Sequence, residues 1–395
     1  MPDSEIVIVG GGIAGVSAAL HLARHGRSVT LLERGEIASE ASGQNMGGLG
    51  GAGWGNMPDL DSYLTMGSLE LFKGLQLDMG YDIEFRQSGS LTGIHTEEQY
   101  GYIRDRVLRL KSNGYEGELL TPREARAIEP EANPDLLGYM YLPSRGQADP
   151  VKSTRAFADA ARKASTTINT GQYVTSIASQ GDRGYTLQTQ HEKYTCKTLV
   201  IAAGAWCGPV GRMLGVRIPI VPVRGQMWST ASLPPLIFQL ISSAESSFMW
   251  SRDDGSPPEL THREDTRTTR HLYGRQRRSG EIVFGGDRQD VGYETDPDAT
   301  GIETNRGHAA EVVPVVAGLP VARTWAGLMP FTLDGDPMIG KIPLRDNLYI
   351  VSGLASSGFG KGPMAGKLVA DYIHTGHMPH VLAESDPARC VTEAV

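Results

Sequence analysis

The chain opens on apolar runs separated by glycines. Ile6-Val7-Ile8-Val9 is β-branched, Gly10-Gly11-Gly12 ends it, and Ile13 to His25 follows with Ala14, Ala18, Ala19, Leu20 and Leu22 before a Gly26 stop. A β-branched run suits a buried strand, and an alanine- and leucine-rich stretch ended by glycine suits a helix, so the pattern predicts strand, turn and helix. Ser28 to Glu33 reads as a second buried strand, which makes residues 6–33 a βαβ unit with parallel strands. A third strand, Thr198 to Ala203, ends at Gly204, so a long segment is inserted into the topology of one sheet.

Within and beyond that insertion the pattern changes. From Tyr81 to Asp149 the chain is more polar, with helical stretches near Glu97 to Gly114 and a Pro-marked run at Thr121 to Pro130. Asp149-Pro150 reads as an N-cap and first-turn proline for a helix over Val151 to Ala164. Tyr173 to Thr195 alternates around a Gly-Asp-Arg-Gly turn, as a meander does, and Ile218 to Ser229 and Thr268 to Gly286 are strand-like. In the latter stretch RHLYGRQ and EIVFGGDR flank Arg277 to Gly280 as a hairpin. Leu348 to Ser352 is an apolar strand leading through a glycine-rich segment to a helix over Met364 to His374. The two ends of the chain thus read as one domain interrupted twice.

Composition narrows the function classes. At roughly 150 residues per domain, 395 residues imply two or three domains. Hydrophobic residues at 40% and charged residues at 21%, with no block of like charge, exclude a disordered chain. A net charge of −8 argues against nucleic acid or anionic lipid, so small molecules or proteins are the expected partners. Cys196, Cys207 and Cys390 form no CxxC pair, so no disulfide framework or cysteine zinc site is indicated, which suits a reducing cytoplasm. Ile6 to Ala23 approaches the length of a membrane span, but it carries Gly10, Gly11 and Gly12 in its middle and follows Asp3 and Glu5; neither a span nor a targeting signal is expected.

The motif richest in chemistry is Gly10-x-Gly12-x-x-Gly15, directly after a strand and opening a helix, with Glu33 at the end of the next strand. Gly10 allows the tight turn, Gly12 lets the backbone approach a pyrophosphate, and Gly15 lets helix lie on strand. The helix N-terminus at Ile13 and Ala14 offers N–H groups and positive potential to phosphates. Glu33 would accept hydrogen bonds from the adenosine ribose hydroxyls. Gly48-Leu49-Gly50-Gly51-Ala52-Gly53 fits the same spacing without strand or helix around it, and reads as a flexible glycine loop.

Five further stretches occur in order: ERGEIASEASGQNMGG from Glu33, LVIAAGAW from Leu199, VPVRGQ from Val221, RTWAGLMPFTLDGDPMIG from Arg323 and NLYIVSG from Asn347. Together they resemble the D-amino-acid oxidase superfamily of FAD-dependent oxidoreductases, the branch containing glycine oxidase, sarcosine oxidase and proline or opine dehydrogenase β subunits. The resemblance implies an α/β fold: a Rossmann-type, glutathione-reductase-like FAD-binding domain with an inserted α+β substrate domain on a mostly antiparallel sheet. The expected FAD domain is discontinuous over 1–80, 146–220 and 325–395, with the substrate domain over 81–145 and 221–324. Arg34, Ser39, Ser42, Gln44, Asn45 and Met46 would run past the flavin pyrophosphate and ring, with turn-capping as the alternative for the polar ones. Val174, Ala203, Gly204 and Trp206 would lie at the adenine and ribose, where a side chain at Gly204 would collide with the cofactor. Gly327, Gly353, Ser357, Gly358, Phe359, Gly360 and Lys361 would face the flavin, with amides and the Lys361 charge stabilising negative charge at N1–C2=O2. With no His between Gly35 and Gly93 and no cysteine at an attachment position, FAD is expected to be non-covalent.

The substrate side departs from the family. Glycine-oxidase-like sequences carry a carboxylate-gripping arginine in a GLRP motif; here it reads Gly327-Leu328-Met329-Pro330. Strand alternation puts His271, Tyr273 and Arg275 on one face, so Arg275 and Tyr273 are the expected replacements, against a solvent-facing strand edge. Arg224 and Arg323 read as structural, and His262 and His271 show no metal spacing. The expected reaction is oxidation of the C–N bond of an amino acid or N-substituted amino acid to an imine. The alternatives are a flavin-dependent 2-hydroxy-acid oxidase or dehydrogenase, or a non-catalytic FAD-binding assembly protein. Oxygen or another electron acceptor, and a homo-oligomer or partner subunit, complete the expected partners.

Overall fold

The computed structural model describes residues 4–50, 60–245, 271–343 and 345–394. His262, Gly51 to Gly53 and the start of the expected strand at Thr268 lie outside them. One eight-stranded sheet carries Ser4–Val9 at its centre, between Lys193–Ile201 and Val29–Leu32. All three run parallel, with Val7 opposite Leu199 and Ile8 opposite Leu31, and Leu348–Ser352 extends the parallel array. Ile6, Ile8, Leu31 and Val200 have no exposed surface, as strands covered on both faces require. The expected meander is Val174–Ser179 and Tyr185–Thr189, paired antiparallel to the strand that begins at Lys193.

A second eight-stranded sheet runs in the order Arg323–Thr332, Ile220–Ser232, Glu281–Gly285, Tyr273–Gln276, Leu240–Ser243, Ser90–Ile94, Gly138–Leu142, Glu118–Leu120. It is antiparallel except where Leu240–Ser243 runs parallel to Ser90–Ile94. Arg323–Thr332 pairs with Ile220–Ser232 along its whole length, so the boundary expected at residue 325 falls inside a strand of this sheet. Trp228, fully buried, donates from Nε1 to Asn305 Oδ1 at 2.9 Å and fixes the Ala299–Val312 helix on the sheet.

Local chemistry sets the helix starts. Asp149 caps Pro150–Lys163 by accepting from Lys152 N, and Thr121 with Glu124 forms a capping box on Pro122–Ile128. The helices Leu60–Leu77, Cys207–Met213 and Ala299–Val312 go beyond the pattern read from the sequence. The last helix is Gly358–Thr375, starting six residues before Met364 and carrying Pro363 inside it. The Pro363 carbonyl accepts from Ser17 Oγ at 2.6 Å, a bond that ties this helix to the first. Gly48–Leu49, read as flexible, forms a short strand against Gly146–Gln147. No helix of the described residues is long and apolar enough to cross a membrane.

The first helix, Ile13–Arg24, and the last lie backbone against backbone. A Cβ on Gly366 would stand 2.4 Å from Ala14 O and 2.7 Å from Ala18 N, and one on Gly362 would stand 2.6 Å from Ile13 Cγ2. Gly366→Val is therefore expected to lower stability by about 1–3 kcal/mol or more through overpacking, read as a fall in melting temperature with FAD present.

Candidate active site

The turn between the first strand and helix is fixed by sterics. Gly10 has φ +120°, and a Cβ there would stand 2.3 Å from Ala202 O, while one on Gly15 would stand 2.1 Å from Gly10 O. Gly15 thus lets the helix lie on the strand and does not itself line the cavity. Gly12 is the N-cap and supplies no side chain; Ile13 N donates to Ser42 Oγ at 2.9 Å. Glu33, 8% exposed, accepts from Gly11 N through Oε2 at 2.6 Å and from Gly35 N through Oε1 at 2.7 Å. Each oxygen retains a lone pair for a further donor.

Gly10, Gly12, Ile13, Glu33 and Ser42 line a cavity of about 620 Å³ that runs between the two sheets. On its wall beside Glu33 lie Arg34, Val174, Ala203, Gly204 and Trp206. The Arg34 guanidinium stacks 3.7 Å from the centroid of the Trp206 ring and pairs with Glu40. Gly204 has φ +52° and a Cβ there meets no protein atom within 4 Å, so the space that a ribose or adenine requires is open. Farther along lie Gly12, Ile13, Ala14, Ser42, Gln44, Asn45 and Met46. Gln44 and Asn45 spend their amides on the loop itself, donating to Ser39 O and Ala41 O, while Asn45 Oδ1 accepts from Gly47 N. Ser39 stays outside the cavity as a turn residue, its amide bonded to Glu36 O.

A second helix N-terminus enters the same cavity. Ser357, Gly358, Phe359, Gly360 and Lys361 line it, and the Gly358–Thr375 helix has no side-chain cap at Ser357, which leaves N–H groups and positive potential facing inward. Gly353 does not line it: φ +73° and a Cβ that would stand 2.6 Å from Thr332 Cγ2 make it a turn residue under the loop. Lys361 forms an ion pair with Asp61, so its charge is neutralised locally and does not stand alone beside a flavin.

The substrate-side sheet contributes His271, Tyr273, Arg288, Gly327 and Met329. Arg275 is a correction. It shares a face with Tyr273, but two residues along a strand is about 6.6 Å, which carries it past the cavity rim. There Nη1 donates to Gln147 Oε1 at 2.8 Å and Nη2 to Ala148 O at 3.0 Å, with 1% of its surface exposed. Arg288, just after Gly286 at φ +134°, reaches the cavity from this sheet. Its Nη2 donates to Ser356 Oγ at 3.0 Å and lies 3.4 Å from His271 Nε2. Burial lowers the Arg288 guanidinium to about 10 and raises the Tyr273 phenol to about 12, so at neutral pH one is a cation and the other a neutral donor. Burial, then the Arg288 and His308 charges, holds His271 well below the usual imidazole range. Arg145, lowered to about 10 by burial and then by Arg106, lines the cavity with Ser242 and Ser243.

The chain fits FAD on its own geometry: a glycine turn that no Cβ tolerates, a buried carboxylate beside it, open space at Gly204, and two uncapped helix ends on one cavity. Arg224 is structural, bonded to Gln289 Oε1 at 2.8 Å, and Arg323 is exposed beside Trp325. Cys196 and Cys207 are buried, Cys390 is half-buried, and none lines the cavity. Glu33→Gln keeps the size of the side chain but offers one acceptor oxygen in place of two. It is expected to weaken FAD binding by roughly 10- to 150-fold, the cost of a charge-assisted hydrogen bond, in a titration of deflavinated protein.

Comparison with known proteins agrees. A family model described as FAD dependent oxidoreductase (DAO) matches residues 5–372. Mitochondrial dimethylglycine dehydrogenase of Rattus norvegicus is 27% identical over 410 residues, spanning 98% of this chain but 45% of that protein. Glycine oxidase of Bacillus licheniformis is 26% identical over 380 residues, 93% of this chain and 92% of the relative. The crystal structure of L-proline dehydrogenase from P. horikoshii superposes with a TM-score of 0.85 at 26% identity, covering 98% of each chain. With its glycine turn, its cavity and nearly its whole length matched, the chain belongs to the DAO family of FAD-dependent oxidoreductases.

Proposed function

We propose that this enzyme oxidises the C–N bond of an amino acid or N-substituted amino acid to an imine, which water then hydrolyses. Bound FAD supplies the hydride acceptor at N5. Gly12 to Ala14 would hold its diphosphate, Glu33, Gly204 and Trp206 its adenosine, and Gln44 to Met46 with Ser357 to Lys361 its ring, without a covalent bond. The observation that supports the substrate class is that Arg288 and Tyr273 line the same cavity as Met329, which stands where the expected arginine is missing. Arg288 holds the substrate carboxylate, the fork geometry and full charge being what carboxylate recognition demands. The Tyr273 phenol donates a second hydrogen bond, and Gly286 makes room for its ring, since a Cβ there would stand 2.2 Å from Tyr273 Cε1. Met329 lies over Gly225, closing the pocket with a thioether where the family places a charge. The relatives named above are named for glycine, dimethylglycine and proline, each an amine beside a carboxylate.

A 2-hydroxy-acid donor is the second reading, and His271 is the observation that favours it, because hydroxyl oxidation needs a base at the reacting centre. A histidine held far below its usual range is a poor base for a hydroxyl, which supports the amine reading.

Two outcomes test the proposal. Arg288→Met is expected to lower kcat/KM by roughly 10- to 150-fold, mainly through KM, the cost of one charge-assisted hydrogen bond; an unchanged KM for every carboxylated amine would remove Arg288 from the site. The second outcome is in the pH profile. Between about pH 6 and 8.5 Arg288 stays charged while Tyr273 and His271 stay neutral. Across this window the profile of kcat/KM then belongs to the substrate, whose amine must lose its proton to react, so activity rises with pH up to about 8.5. His271→Gln keeps that profile, whereas hydroxy-acid chemistry through His271 would lose roughly a hundredfold or more.

A further inference from the structure

Behind the cavity wall, three element ends converge on a second set of ligating groups that the reaction does not use. Ser90–Ile94 and Leu240–Ser243 run parallel with Gly93 opposite Ser243. His95 and Glu245 each follow that register pair by two residues, so they leave the sheet side by side. Across them lies the Ala299–Val312 helix, which presents His308 and Glu311 one turn apart on the same face. The helix is held close, because a Cβ on Gly93 would stand 3.1 Å from Val312 Cγ1. The ligand atoms of His95, His308 and Glu311 all lie within 4.8 Å of one another. His95 Nδ1 is 4.0 Å from Glu311 Oε2, and His308 Nε2 is 3.5 Å from Glu245 Oε2.

We propose that His95, His308 and Glu311 bind a zinc ion that ties the Ala299–Val312 helix to the end of the Ser90–Ile94 strand, with Glu245 beside His308 as a neighbouring carboxylate. Two imidazoles and one carboxylate are a donor set suited to zinc, with water completing the tetrahedron and the nearby Glu245 charge adding to the balance of a divalent cation. Zinc bonds of about 2.0–2.1 Å in a tetrahedron put ligand atoms about 3.4 Å apart. The three-residue cluster closes to it by side-chain movements of at most about 1.4 Å. The backbone that carries the ligands is anchored independently: His95 N donates to Gln99 Oε1 at 2.9 Å, and Asn133 N to Val312 O at 3.0 Å. The four residues lie outside the lining of the FAD cavity, so the site is structural and does not depend on the reaction assigned above.

The test uses the FAD-loaded full chain, made without a histidine tag, stripped with a chelator and titrated with zinc chloride against a chromogenic competitor. About one zinc is expected to bind per chain, and zinc raises the melting temperature without altering the flavin spectrum. Glu311→Gln and His308→Gln each lower the zinc affinity by roughly tenfold or more and abolish the thermal shift. Glu311, whose side chain is 43% exposed, carries the test if the buried histidine variant fails to fold. Absence of stoichiometric zinc at micromolar concentration, or equal affinity in parent and Glu311→Gln, overturns the proposal.

Discussion

The contact between the first and last helices governs the rest of the molecule. Gly362 and Gly366 let the Gly358–Thr375 helix touch the backbone of Ile13–Arg24, and Gly15 lets that helix in turn touch the strand turn at Gly10. Because the backbones meet with no side chains between them, the two uncapped N-termini open onto one cavity. Each N-terminus carries about half a positive charge. The first suits a diphosphate, and the second suits negative charge that appears on the ring when a hydride arrives. One short interhelical distance therefore serves both binding and chemistry, and both ends of the chain are needed to build it.

The second sheet contributes specificity by a different physics. Its strands present cavity groups whose charge states are set by burial: a cationic Arg288, a neutral Tyr273 and a neutral His271. A carboxylate entering this wall compensates a desolvated guanidinium, which favours anionic substrates more strongly than a lysine in water would. Met329 and Gly225 shape the same wall without charge, so orientation falls to fixed hydrogen bonds and not to a titrating base.

The first thirty-odd residues disclosed the cofactor half because their chemistry is local. A glycine that must adopt φ +120°, a helix that must start beside it and an acid at the end of the next strand are all readable in one dimension. The substrate wall was not legible to the same degree. Alternation put Arg275 on the correct face of its strand but carried no information on where the cavity ends, and the carbonyl of Ala148 lies more than a hundred residues away in sequence. Arg288 follows a strand end with irregular backbone, so no period marks it. Lys361 looked like an isolated cation because Asp61, its partner, sits on a helix that the sequence pattern left unassigned.

The central claim is that a carboxylated amine reaches this cavity as the electron donor. Anaerobic addition of free and N-substituted amino acids to the yellow holoenzyme, followed by absorption spectroscopy, tests it most directly. The account predicts that at least one such amine bleaches the oxidised flavin band stoichiometrically while the matching 2-hydroxy acids leave it intact. A flavin that stays oxidised with every amine, or is bleached by the hydroxy acids alone, would contradict it.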